Sequence, residues 1–277
     1  MKKKAMHWGT VLKYIFLVLA LLIMLYPVFM VVLNSLKTEP ELYANILGLP
    51  KQLHWGNYAE AIEGGNLLRA LFNSIAISGG TVLLTTLLGS FAAFALTRLL
   101  GKICRTLYWL FAAGIMIPYQ VGLSQLYQIT NRLGLLDSHL GLILIFTAWS
   151  LPFTVFVMYG SFSIIPRELE EAARLDGCSV AGLYAKIVMP VSSSVITATV
   201  IYNLVSVWND TMFPMVFIDS KSLKPLSTSL LAFKGQFTSR YTVMFAGVVL
   251  SSIPIIIVYL SMQKKFVEGM MIGSIKG

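Results

Sequence analysis

Arg167, Glu168, Glu170, Glu171, Arg174 and Asp176 crowd into ten residues of a chain in which only 12% of residues are charged. They lie in a polar stretch running from Pro166 to Gly177 and on to Ile187-Val-Met-Pro190. Carboxylates and guanidinium groups packed this way offer recognition, because charges on a short helix pair with opposite charges on another protein. Nothing in the chain offers catalysis beside them. His7, His54 and His139 are far apart and lack metal-ligand spacing, so no metal site is expected. Neither a clustered nucleophile and base nor a Gly-rich phosphate loop of the Walker type occurs, which argues against an enzyme and against ATP hydrolysis by this chain.

The elements that must position this cluster are apolar. Of the 277 residues 57% are hydrophobic, and the mean hydropathy is +0.77, the composition of an all-α integral membrane protein. Six windows are long enough to cross about 30 Å of hydrocarbon. They are Tyr14 to Asn34, Phe72 to Thr97, Thr106 to Tyr127, Leu140 to Phe162, Ser193 to Ile218 and Tyr241 to Gln263, with Gly or Pro inside several of them. With the N-terminus inside, 13 of the 21 Lys and Arg fall on the cytoplasmic side, so the net charge of +9 reads as a topology signal and nucleic acid is not expected as a partner. Lys2-Lys3-Lys4 precedes an apolar run too long for a signal peptide and without a small-residue cleavage site, so it is read as a retained first span. Cys104 and Cys178 fall on the reducing side, where a structural disulfide is not expected.

The polar stretch thus becomes a cytoplasmic segment, 165–192, between spans four and five. Pro166 and the glutamates suit the start of a helix, Arg174 suits its end, and Gly177 breaks it. Ser179 to Ile187 predicts a second short helix, stopped by Pro190. The spacing Glu171-Ala172-Ala173, three residues, Gly177, nine residues, Ile187, one residue, Met-Pro190 resembles the EAA motif of ABC-importer permeases, with Met189 where Leu is usual. Leu25-Tyr-Pro27, Asn57-Tyr58, Trp208-Asn209-Asp210 with Pro214, Phe233-Lys-Gly-Gln236 and the tail ending Lys276-Gly277 extend the likeness over nearly the whole chain. They are similar to the carbohydrate branch of that family, in particular to its maltose-type second permease subunit.

The resemblance implies six transmembrane helices in a type I ABC-importer permease architecture, with residues 1–277 as one permease domain. It implies a non-catalytic subunit of a binding-protein-dependent sugar importer, for an oligosaccharide, in a bacterial plasma membrane with both termini cytoplasmic. The implied partners are a second permease in a heterodimer, two cytoplasmic ATPase subunits that bind ATP and Mg, an extracellular or periplasmic sugar-binding protein, the sugar and membrane lipid. Carried over residue by residue, Glu171, Ala172, Ala173, Gly177, Ile187 and Pro190 form the ATPase-coupling element. Gly269, Gly273, Lys276 and Gly277, in the cytoplasmic tail 264–277, contact the ATPases.

Two polar stripes lie in apolar windows. Gln120, Ser124, Tyr127, Gln128 and Asn131 recur at helical spacing in span three, and Asp210 shares a helical face with Asn203 and Ser206 in span five, beside Trp208 and Asn209. Amide, hydroxyl and aromatic groups suit a sugar path, since they hydrogen-bond hydroxyls and stack on apolar sugar faces. They equally suit hydrogen bonds between packed helices, and both readings stand for each residue. No Arg or Lys lies deep in a span, which disfavours a phosphorylated cargo, and one borderline carboxylate is thin support for an ion-driven transporter.

Overall fold

In the computed structural model the described residues are 8–99, 101–233 and 240–274. Among them every regular element is helical. Four helices are long and apolar enough to cross a membrane unbroken: Val11–Ser35, Leu67–Arg98, His139–Ser163 and Tyr241–Lys264. Two further helix pairs are long and apolar enough only when each is taken as one bent unit, Lys102–Gly114 with Tyr119–Arg132 at 94° and Val180–Val191 with Ser193–Asn209 at 77°. Four of the six expected windows are therefore unbroken helices, the third is a bent pair, and in the fifth, expected over Ser193 to Ile218, the helix ends at Asn209 and its bent partner Val180–Val191 precedes the window.

The chain divides into two compact units, Met1–Leu67 with Leu230–Ile253, and Leu68–Ser229 with Pro254–Gly277. The first unit contains α1 (Trp8–Ser35), α2 (Glu39–Ala44) and α3 (Gly56–Gly64). α1 presents apolar side chains all round and buries none of its hydrophobic window within the chain, as expected of a helix solvated by lipid. The segment after it is ordered by polar contacts. The Lys37 ammonium is fully buried and donates to the carbonyls of Asn45 and Ile46 at 2.9 and 3.3 Å. The Asn57 amide donates to the Ser35 and Lys37 carbonyls at 2.8 and 2.7 Å, and Glu39 accepts from the Thr242 N–H and hydroxyl.

The second unit is built on α4 (Leu67–Arg98), followed by α5 (Lys102–Gly114), α6 (Leu123–Arg132) and α7 (His139–Ser163). After these come α8 (Arg167–Leu175), α9 (Val180–Leu183), α10 (Met189–Val191), α11 (Ser193–Asn209), α12 (Met212–Phe217) and α13 (Leu226–Ser229). The last helix, α14 (Tyr241–Ser274), belongs to the first unit up to Ile253 and to the second from Pro254. Small residues on α4 let α7 approach closely: a Cβ at Gly80 would meet Ile143 at 2.8 Å, and one at Gly89 would meet Thr154 at 2.5 Å. Two apolar clusters form along these helices. One joins Ile77, Leu142, Ile145, Phe146, Val207, Phe213, Phe217 and Ile218, and the other joins Ala93, Met158, Phe162, Ile165 and Val188.

At one end of this unit Asp137 ties two connections together. Its carboxylate accepts from the Asp219 and Ser220 N–H groups at 3.0 and 2.9 Å and from the Ser220 hydroxyl, while its own N–H donates to the Phe217 carbonyl. The side-chain bond to Ser220, then the backbone bonds and nearby Lys224, hold the Asp137 carboxyl below the ordinary carboxylate value of 3.8. A depressed folded pKa means that the stabilisation is complete above 3.8 and lost as pH falls through the lower, folded value. Exchange protection at the Asp219 and Ser220 amides, corrected for intrinsic pH dependence, is expected to persist down to that value and fade beneath it. Asp137→Asn is expected to lower the protection already at neutral pH, and equal protection in the variant would contradict the clasp.

Candidate functional site

The charged segment emerges as a helix, a tight turn and a bent second helix. Glu168 and Glu170 occupy the first turn of α8 and Arg174 the last, each on the favourable side of the helix dipole. The helix ends in a Schellman motif: the Cys178 N–H reaches the Ala173 carbonyl at 2.9 Å and the Gly177 N–H reaches that of Arg174 at 3.0 Å. Gly177 adopts φ +80°, a conformation that costs other residues about 1–2 kcal/mol. Ser179 then accepts from the Gly182 N–H and starts α9, as a serine cap does.

The second helix extends beyond its expected end. A π-turn over Tyr184–Val188, closed by the Met189 N–H on the Tyr184 carbonyl, leads into α10, so Pro190 lies inside helical structure instead of stopping it. Proline cannot donate to the carbonyl four residues back and its ring crowds that position, and the wider π-turn lies directly before it. The 77° bend into α11 follows at Ser192.

Three contacts seat the segment on α4 and α7. Glu170, 5% exposed, forms an ion pair with Arg98 at the last residue of α4, and Arg98 also donates to the Phe162 carbonyl at 3.1 Å and lies 5.9 Å from the Phe94 ring centroid. Tyr184 stacks on Phe91 with centroids 4.8 Å apart and shares a hydrogen bond of 2.8 Å with the Ser90 hydroxyl. Val188 completes the Ala93/Phe162 cluster. The opposite face is bare: Glu171 and Ala172 are exposed, Ala173 is half-buried, and Leu175 is 89% exposed beside exposed Leu169 and Val180. The two adjacent glutamates therefore have different fates, Glu170 turned inward and Glu171 outward. Ile187 is half-buried and Pro190 exposed.

Sequence reasoning did not single out Arg98, Tyr184 or Leu175, and it placed Glu170 among the recognition charges at the start of the helix without its inward role. The place of Arg98 at the end of a span, with a run of glutamates in the next cytoplasmic segment, is the signal that points to it. Gly269 and Gly273 lie on the backbone of α14, which runs without a break through the expected tail to Ser274. Lys276 and Gly277 fall outside the described residues, as do positions 234–236 of the Phe233 motif.

The polar stripes are rearranged by the two bends. Pro118 ends the α5 side of span three, Gln120 sits in a 3-10 turn, Tyr119–Gly122, and Ser124, Tyr127, Gln128 and Asn131 follow on α6. All five are exposed, and α6 turns Leu123, Leu126 and Thr130 the other way. Asn203 is buried and donates to the Thr154 hydroxyl at 2.9 Å, a bond between α11 and α7. Asp210 does not share the Asn203 and Ser206 face as expected, because the helix ends at Asn209 and Asp210 is extended. Its carboxylate accepts from the Phe213 N–H at 2.9 Å, satisfying an amide freed at the start of α12. Trp208 is buried, and the Asn209 amide bonds to the Val205 carbonyl of its own helix. Ser206 lines a cavity of about 130 Å³ with Ser150, Tyr202, Trp149 and the Asn203 side chain.

With this geometry in view, the family described as binding-protein-dependent transport system inner membrane component matches residues 85–271, a range containing the whole charged segment. The chain is 32% identical over 275 residues to the probable ABC transporter permease protein YurM of Bacillus subtilis (strain 168), covering 99% of this chain and 91% of that one. It is 30% identical over 267 residues to the arabinooligosaccharides transport system permease protein AraQ of the same strain, covering 95% and 94%. A crystal structure of a bacterial ABC transporter that imports the acidic polysaccharide alginate contains a chain of the same fold, with TM-score 0.82, 22% identity and coverage of 96% and 99%. The chain belongs to this family, the multi-pass membrane permeases of ABC importers.

The Arg98–Glu170 pair is nearly dry, so removing one partner strands the other. Arg98→Met is expected to lower stability by about 3–5 kcal/mol, read as a fall in melting temperature in detergent. Gly177→Ala is expected to cost about 1–2 kcal/mol. An Arg98→Met chain as stable as the parent would show that the pair does not hold the segment.

Proposed function

We propose that the chain is a transmembrane permease subunit of an ATP-driven, binding-protein-dependent importer of a sugar of oligosaccharide class. It works in a bacterial plasma membrane with both termini in the cytoplasm, paired with a second permease. The names of its relatives support the cargo class, since one serves arabinooligosaccharides and the fold neighbour serves alginate. The subunit is non-catalytic; ATP and Mg are bound by two cytoplasmic ATPase subunits, and the sugar arrives on an external binding protein.

The observation that carries this reading is the two-faced segment 165–192. One face is fixed to α4 and α7 by Glu170, Tyr184 and Val188, and the other offers Glu171, Ala172 and Leu175 to a partner. Small and apolar groups permit close docking in an ATPase groove, and Glu171 pairs there with a basic group. Closure of the ATPase pair drags the segment, and the fixed face passes the movement to the helices that line the path. Gly269, Gly273, Lys276 and Gly277 add a second ATPase contact from the end of the chain. For the path itself the exposed set Gln120, Ser124, Tyr127 and Gln128, with Ser206, is favoured, because Asn203, Asn209 and Asp210 already spend polar groups inside the chain.

The test is a reconstituted transporter carrying Glu171→Lys with Leu175→Glu. Normal assembly of the permease pair is expected, with transport and sugar-stimulated ATP hydrolysis both reduced at least about tenfold, the loss expected from about 1.4 kcal/mol of docking energy. Transport and hydrolysis at parental rates would refute the coupling role. Bulky Ala172→Trp is expected to act in the same direction without any change of charge.

A further inference from the structure

The ends of α4, α5, α7 and α8 enclose a cavity of about 460 Å³ that the transport reading leaves unused. Its lining carries Arg98, Arg105, Arg167 and the phenolic side chains of Tyr108 and Tyr159. Arg98 spends its charge on Glu170, whereas among the described residues neither Arg105 nor Arg167 pairs with a carboxylate. The cavity therefore carries two guanidinium groups, both on exposed residues, that have no carboxylate partner among the described residues.

Two helix N-termini converge on the same space. α5 starts at Lys102 behind Gly101, which has no side chain to cap it, and Gly101, Cys104 and Arg105 all line the cavity. α8 starts at Arg167 behind Pro166, again with no side-chain cap, and Ile165 and Arg167 line the cavity. Uncapped first turns present N–H groups and the positive end of the helix dipole, which favours an anion. The location is equally specific: Arg98 is the last residue of a span, Lys102 the first of the next, and Ser163 the last of α7, so the cavity opens at the boundary between hydrocarbon and water.

The geometry points to a binding site for a phosphate-bearing anion, with the phosphodiester headgroup of an anionic membrane lipid as the ligand that meets both its charge and its depth. Guanidinium forks of Arg105 and Arg167 take the phosphate oxygens, tyrosine hydroxyls reach the remaining headgroup oxygens, and acyl chains leave past the exposed apolar flank of α5 at Ile103 and Leu107. Because Arg167 opens the charged segment and Arg98 holds Glu170, a bound headgroup adds a further fastening beside the first turn of α8.

The experiment uses the complete transporter in nanodiscs. Native mass spectrometry counts retained phosphatidylglycerol against phosphatidylcholine for the parent, for Arg105→Gln with Arg167→Gln, for the Arg-to-Lys pair, and for Arg132→Gln as a control outside the cavity. The parent and the control are expected to retain phosphatidylglycerol selectively. Loss of about fivefold in retention is expected for each arginine neutralised, and about 25-fold for the pair, with the lysine pair between the Gln pair and the parent because it keeps the charge and loses the fork. In a second arm, phosphatidylcholine nanodiscs are titrated with inorganic phosphate; arginine-dependent binding there, without lipid selectivity, would assign the same pocket to free phosphate. Equal phosphatidylglycerol and phosphate binding by the parent and the Gln pair would overturn the proposal.

Discussion

The arrangement of the charged segment depends on one ion pair at the membrane boundary. Arg98 ends a span and Glu170 lies in the first turn of the following polar helix, and their side chains are only 13% and 7% exposed. Charges taken out of water are tolerable only with a partner and with further hydrogen bonds, which here come from the Phe162 carbonyl and the face of Phe94. A helix of nine residues would not hold its shape alone in water. Fixed at Glu170, and again at Tyr184 and Val188, it becomes a rigid extension of α4 and α7 instead of a loop between them.

The same constraint explains the two bent spans. Backbone groups freed in hydrocarbon must find partners within the protein. At the cytoplasmic approach to the fifth span the π-turn is closed by the Met189 N–H on the Tyr184 carbonyl, and beyond Asn209, within the expected span, the carboxylate of Asp210 receives the Phe213 N–H. At Pro118 the missing N–H lets the chain change direction into a 3-10 turn. Each interruption has a local chemical cause, and each moves polar side chains off the line that a straight helix would have drawn.

These causes divide what could be read in the sequence from what could not. The six apolar windows, the helix-breaking role of Gly177 and the EAA spacing were legible, because hydropathy, left-handed backbone and residue spacing are local properties. The Schellman turn at Ala173 to Cys178 is a direct consequence of a glycine at that place. Which of Glu170 and Glu171 would be buried was not legible, since it turns on Arg98, 72 positions earlier in the sequence. Nor was the withdrawal of Asp210 from the Asn203 face, because a continuous apolar window hides a helix that stops at Asn209. Asn203 could serve a path or a helix contact, and only the structure shows the contact, its amide donating to Thr154 at 2.9 Å while the residue also lines the cavity of Ser206.

The central claim, that the face carrying Leu175 is a docking surface for an ATPase, is tested most directly by chemical protection. In a chain whose own Cys104 and Cys178 are replaced, Leu175→Cys is labelled with a maleimide, first in the permease pair alone and then in the assembly with its ATPases. The account predicts rapid labelling in the pair, as its 89% exposure requires, and strong protection in the full assembly. Equal labelling in both would contradict it.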